Sequence, residues 1–206
     1  MHARIGRRAA ALAVVVLLAS PCRGRAAESC DPAAPPRVRA TVLARASACY
    51  LAHRLPDAIA LYRAWLAQDP NDRAVRVELA RMLTESSDLA GAEAEYDRLL
   101  AGAGNDTDRR ALHRARADVR AWRGELVPAI AEYQGLIAAD PGDAGALLAL
   151  GLAYQWSGMP AEAAVSLAAA VAADPQNVEA EKALAALNAS PSHRAWQADA
   201  ERRAYP

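Results

Sequence analysis

The chain has 206 residues, 53% of them apolar, and its 24 Lys and Arg balance 24 Asp and Glu. Phe is absent and Ala abundant, a composition that favours closely packed helices, and nothing in it argues for a sheet. The formal charge of zero leaves no overall excess of cation for a nucleic-acid surface.

Residues 1–26 differ in kind from the rest. Arg4, Arg7 and Arg8 precede the apolar run Ala9 to Ala19, and Ser20, Pro21 and small residues lead to Ala26-Ala27. A basic start, an apolar segment too short to span a bilayer and a small-residue exit predict a cleavable secretory signal peptide, with no transmembrane segment in the mature chain. The rival reading, a lipid anchor on Cys22, is opposed by Pro21 directly before it. Cleavage removes five Arg and no acid, taking the formal charge to −5 and disfavouring a nucleic-acid partner. The expected location is the periplasm or beyond it. Cys30 and Cys49 remain: they either bridge, tying the Pro-rich lead-in 27–38 to the first helix, or Cys49 is a core residue and Cys30 a thiol near the terminus.

From Arg39 onward the chain is periodic. The stretch Ala144 to Asn177 places Leu147, Leu150-Gly151, Tyr154, Gly158, Ala163, Leu167, Ala170 and Asp174-Pro175 at the spacing of a helix, a tight turn and a second helix. Moving back 34 residues lands Asp140-Pro141 on Asp174-Pro175, Gly124 on Gly158, Ala129 on Ala163 and Trp122 on Trp156. Asp69-Pro70, Ala58 and Tyr62 recover the same frame. The repeats are 39–72, 73–106, 110–143 and 144–177, with a capping helix over 178–190 that covers the last apolar face, and a tail, 191–206.

Repeat one turns at His53-Arg54-Leu55, with Pro56 in the first turn of its second helix. Repeat two turns at Ser86-Ser87 and leaves through Gly102-Ala103-Gly104 in place of Asp-Pro, a loose joint followed by Thr107-Asp108-Arg109, which are extra to the period. Its second helix carries Glu93, Glu95 and Asp97, expected to be solvated. Repeat three breaks the pattern, since Arg116 and Arg120 stand where Leu79 and Leu83 or Leu150 and Tyr154 stand elsewhere. Either they pair with carboxylates, or the helix rotates to bury Leu112, Ala115, Val119 and Trp122; the recurrence of those four at helical spacing favours rotation.

This unit resembles the tetratricopeptide repeat, which implies an all-α, right-handed superhelical stack of antiparallel helix pairs, about four repeats plus the cap. The resemblance spans most of the mature chain and implies a protein-binding scaffold. The Ala121-Trp122-Arg123-Gly124 and Ala153-Tyr154-Gln155-Trp156-Ser157-Gly158 turns are also similar to those in the periplasmic repeats of outer-membrane exopolysaccharide exporters, of the cellulose-exporting and YaiO kinds. That second resemblance implies a role in envelope assembly or polymer export, with a polysaccharide as an alternative partner; the β-barrel of those exporters has no counterpart here.

No metal spacing, phosphate loop or nucleophile motif appears, so neither an enzyme, a cofactor nor a metal site is expected. The expected binding surface is the concave side formed by the first helix of each pair: Tyr50, Arg81, Arg114, Asp118, Trp122, Leu148, Leu152, Gln155 and Trp156. The two Trp occupy equivalent places in consecutive repeats. They either pack between repeats or anchor a ligand.

Overall fold

The structure, a computed structural model, describes residues 38–102, 105–191 and 194. Among these it is all helix: α1 (Arg39–Leu51), α2 (Leu55–Gln68), α3 (Arg73–Glu85), α4 (Leu89–Ala101), α5 (Asp106–Trp122), α6 (Leu126–Ala139), α7 (Ala144–Trp156), α8 (Pro160–Ala173) and α9 (Val178–Ala189). Consecutive helices pack against each other, and α7 also touches α5 and α9, so the first helices of successive pairs form one side of the stack. The expected four helix pairs and closing helix are therefore present.

The stops between repeats explain the boundaries. In Asp69-Pro70-Asn71-Asp72 the first carboxylate accepts from the Asn71 amide, and Asp72 caps α3 by accepting from the Val75 amide at 3.1 Å. The same device recurs with Asp140, Gly142 and Asp143 before α7, and with Asp174, Gln176 and Asn177 before α9. Each cap satisfies an orphan amide and is worth about 1 kcal/mol. Burial pushes the Asp72 carboxyl up, but hydrogen bonds from Arg39, the Val75 amide and Trp65 outweigh it and hold the group below its ordinary value.

Within each pair the turn needs one left-handed residue. Repeats three and four supply glycine, Gly124 at φ 81° and Gly158 at φ 72°, whereas repeats one and two use His53 at 57° and Ser87 at 63°. The exit of α4, which lacks an Asp-Pro stop, is handled differently again. Arg73 reaches across from α3 and donates to the carbonyls of Leu99, at 2.7 Å, and Gly102, closing that helix end. Ala103 and Gly104 of the expected loose joint lie outside the described residues, as do Cys30, residues 1–26 and nearly all of 192–206; Cys49 is buried in the core beside α2. The extra residues Thr107, Asp108 and Arg109 form a first turn added to α5, capped by Asn105 accepting from the Asp108 amide at 2.8 Å.

The expected rotation of α5 does not occur. Leu112 and Val119 are buried against the N-terminal repeats, and Ala117 and Ala121 against the following ones, but Ala115 is half-buried and Trp122 is 55% exposed. Pairing takes the place of rotation. Arg116 donates to Glu132 of α6 at 2.7 Å and to Asp97 of α4 at 2.7 Å, while Arg120 donates to Glu93 of α4 at 2.7 Å and to Glu132 at 3.2 Å. Arg123 also pairs with Glu93. The expectation of a solvated acidic face on α4 is corrected with it: Asp97 is exposed, but Glu95 is buried between Arg76 and Arg98, and only 14% of the Glu93 side chain is exposed. Carboxylates that would be costly to bury alone are buried because each has a guanidinium against it.

Candidate functional site

Trp122 and Trp156 are the last residues of α5 and α7, immediately before the caps Arg123 and Ser157 and the left-handed Gly124 and Gly158. Because the chain turns away at that point, no following helical turn covers the rings, and they remain 55% and 52% exposed. Both line one concavity of about 520 Å³. Its floor is Leu148, Leu152, Ala121 and Ala149; its polar groups are Arg114, Asp118, Tyr133, Asn177 and Glu179.

Those polar groups are held in place. The Tyr133 hydroxyl donates to Asp118 Oδ1 at 2.6 Å. Burial pushes the Asp118 carboxyl above its ordinary value, against the opposing pull of the Tyr133 hydrogen bond and the Arg114 charge. Burial, and then the Asp118 charge, push the Tyr133 phenol up, so it stays a donor across the working pH range. Arg114 donates to Asp143 Oδ1 at 3.1 Å, the same oxygen that caps α7. It can lie there because residue 145 is glycine: a Cβ on Gly145 would collide with the Arg114 guanidinium.

Six of the nine expected site residues therefore meet around one hollow: Arg114, Asp118, Trp122, Leu148, Leu152 and Trp156. Gln155 is half-buried on α7 and does not line it. Tyr50 and Arg81 sit in the first two repeats, with the Arg81 guanidinium 5.5 Å from the Tyr50 ring centre and ion-paired to Glu78 and Glu85. Tyr50 lines a second hollow of about 530 Å³ with Leu51, His53, Leu55 and Glu85. Leu51 and Glu85 hold the register place of the two Trp, so the aromatic pair belongs to the C-terminal half alone. Sequence reasoning missed Tyr133, Gly145, Asn177 and Glu179 as members of the site. Asn177 was recoverable as the second residue after an Asp-Pro stop; Gly145 carried no signal.

A larger hollow, about 910 Å³, opens on the other side of α5 between Arg109, Arg110, His113, Arg116 and Arg120 and the small residues Ala131, Gly135 and Ala139 of α6. Its inner cations are already committed: Arg116 and Arg120 to Glu132, Asp97 and Glu93, with His113 Nδ1 2.6 Å from Glu132 Oε1. The concave hollow with two uncovered Trp is the better candidate. Among the described residues no group of three or more His, Cys, Asp or Glu is placed to hold a metal ion, and no helix is long and apolar enough to cross a membrane.

Residues 50–117 match the tetratricopeptide repeat family. No match emerges among curated protein sequences. Among solved structures, the part of MamA from residue 41 to its end, from Desulfovibrio magneticus RS-1, is similar at a TM-score of 0.65 and 19% identity, over 82% of this chain and 94% of that one. A tetratricopeptide repeat protein from Parabacteroides merdae ATCC 43184 is similar at 0.60 and 20% identity, over 71% and 57%. The first such domain of Spaghetti (RPAP3), solved bound to the HSP90 peptide SRMEEVD, is similar at 0.50 and 17% identity, over 56% and 90%. At these identities the likeness is one of fold. Repeat period, helix pairing, the family match over residues 50–117 and the structural neighbours agree on one architecture, the helical stack of tetratricopeptide repeats.

Proposed function

We propose that the chain is an exported, non-catalytic scaffold that holds an extended segment of a protein partner in the concave hollow between Trp122 and Trp156, in the periplasm, in the service of envelope assembly or polymer export. The observation that carries this reading is the pair of large aromatic rings, one repeat apart, each more than half exposed above an apolar floor. Rigid aromatic surface of this kind anchors partners at low entropic cost. The fold supports a protein-binding role, since repeat stacks present an extended concave surface, and the Spaghetti neighbour is a case with a peptide bound. The signal-peptide pattern of residues 1–26 supports export.

A second reading is a glycan. Two Trp faces beside Asp118, Asn177 and Glu179 offer stacking surface and hydrogen-bond acceptors for sugar hydroxyls. Capture from a periplasmic extract with the parent and with Trp156→Ala, run beside affinity electrophoresis in polysaccharide gels, separates the two. The protein reading expects a partner retained by the parent and lost from the variant, with the variant melting within about 0.5 kcal/mol of the parent. Retardation in a polysaccharide gel that depends on Trp156 would favour the glycan. A stability loss of about 3 kcal/mol would place Trp156 in the core and overturn both.

A further inference from the structure

The residues from Gly124 to Glu181 include eight Asp and Glu and not one Lys, Arg or His. Four of the eight are neutralised from outside this stretch by cations on α5 and its cap: Glu132 by Arg116, Asp140 by Arg110, Asp143 by Arg114 and Glu125 by Arg123. The other four, Glu162, Asp174, Glu179 and Glu181, have no ion pair among the described residues. Glu179 stands at the rim of the Trp122/Trp156 hollow, with Asp118 inside it. The hollow's own cation, Arg114, is turned to Asp143 at 3.1 Å.

Arg81 and Asp118 occupy the same place in consecutive repeats, each five residues before the helix cap, Ser86 and Arg123 respectively. In repeat two that place holds a guanidinium stacked over Tyr50. In repeat three it holds a carboxylate, and the neighbouring aromatic rings, Trp122 and Trp156, have no cation of this chain over them among the described residues. The concave face thus carries its own cation over an aromatic ring in the N-terminal half, and in the C-terminal half presents rings and carboxylates with that cation missing.

Resting on the groove-binding reading above, we infer that the Trp122/Trp156 hollow selects a cationic segment of a protein partner, seating a Lys or Arg side chain against the indole faces and the carboxylates of Asp118 and Glu179. Trp is the best of the aromatic faces for a cation, and Asp118 within the hollow with Glu179 at its rim favours a basic segment over an acidic one.

The test is selection of a random peptide library, displayed on phage, against the full chain, its Trp122→Ala/Trp156→Ala variant and its Glu179→Lys variant, with circular dichroism confirming that each is folded. The enriched peptide is then synthesised beside a twin with Gln in place of each Lys and Arg. The expected result is enrichment of Lys and Arg on the parent and none on the double Trp variant. The Gln twin should bind about tenfold more weakly and with less dependence on salt. Glu179→Lys should reduce the basic enrichment. Trp-dependent peptides that are neutral or acidic would overturn the cationic selection while leaving the groove reading intact. Peptides bound equally with and without the two Trp, or no enrichment at all, would overturn the groove reading itself. Displacement of the enriched peptide by a neutral oligosaccharide would transfer the hollow to the glycan.

Discussion

Arg116 of α5 donates to Glu132 of α6 at 2.7 Å, in a place where the neighbouring repeats put an apolar side chain. Only 8% of the Glu132 side chain is exposed, and its second oxygen accepts from Arg120 at 3.2 Å. Two guanidinium groups thus converge on one buried carboxylate and lace α4, α5 and α6 together. Removing the carboxylate takes one of two partners from each guanidinium, leaving Arg116 to Asp97 and Arg120 to Glu93: Glu132→Ala should cost about 1.5 to 3 kcal/mol. Replacing Arg116, Arg120 and Glu132 together by Leu should recover most of that stability, because an apolar packing carries no desolvation cost. Denaturant melts of the single and triple variants check this; a mild Glu132→Ala would show the seam to be ornamental.

The pH dependence of Asp118 has a definite sign. Its carboxyl is raised by burial, so protonation favours the fold: this contribution is present in acid and is lost as pH rises through the raised value. At neutral pH the ionised group is therefore a net cost. Asp118→Asn, with an oxygen still able to accept from Tyr133, should melt at or above the parent temperature at pH 7, and its advantage should shrink as pH falls into the ordinary carboxylate range. A variant that melts well below the parent at pH 7 would refute this.

Gly151 is a point of close approach between α7 and α8. A Cβ there would stand 2.6 Å from Leu167 Cγ and 3.2 Å from the Leu167 amide nitrogen, and Leu167 is fully buried. Gly151→Ala would gain helix propensity, yet the overpacking should dominate and cost about 1 to 3 kcal/mol. Thermal melting decides the sign.

His53 and Ser87 hold left-handed conformations that their counterparts Gly124 and Gly158 hold without strain. Relief of that strain, less the added freedom of glycine in the unfolded chain, should make Ser87→Gly and His53→Gly each more stable by roughly 0.5 to 1 kcal/mol. Gly124→Ala should lose about 1 kcal/mol. Chemical denaturation of the three variants measures all of this on one scale.

The repeat frame was legible because its signals are local. An Asp-Pro stop followed by an Asp or Asn cap, and small residues such as Ala129 and Ala163 at the helix crossing, report on backbone geometry within a few residues of themselves. The fate of α5 was not legible in the same way. Spacing alone groups Leu112, Ala115, Val119 and Trp122, but the groups that decide the matter, Asp97, Glu93 and Glu132, lie on two other helices, and a count of apolar positions cannot see them. The exposure of Trp122 follows from that outcome. The same limit hid the Tyr133 bond to Asp118, although both residues were visible as parts of the repeat.

The charged seam across α4, α5 and α6 also bears on how the stack responds to heat. Hydration of ionised groups becomes less favourable as temperature rises, so the desolvation cost of Arg116, Arg120, Glu93 and Glu132 shrinks on warming, while stabilisation by apolar burial levels off. The joint between repeats two and three therefore strengthens, relative to its neighbours, on approach to melting. The alanine-rich contacts of α8 and α9, which carry no ion pair among the described residues, should therefore fray first.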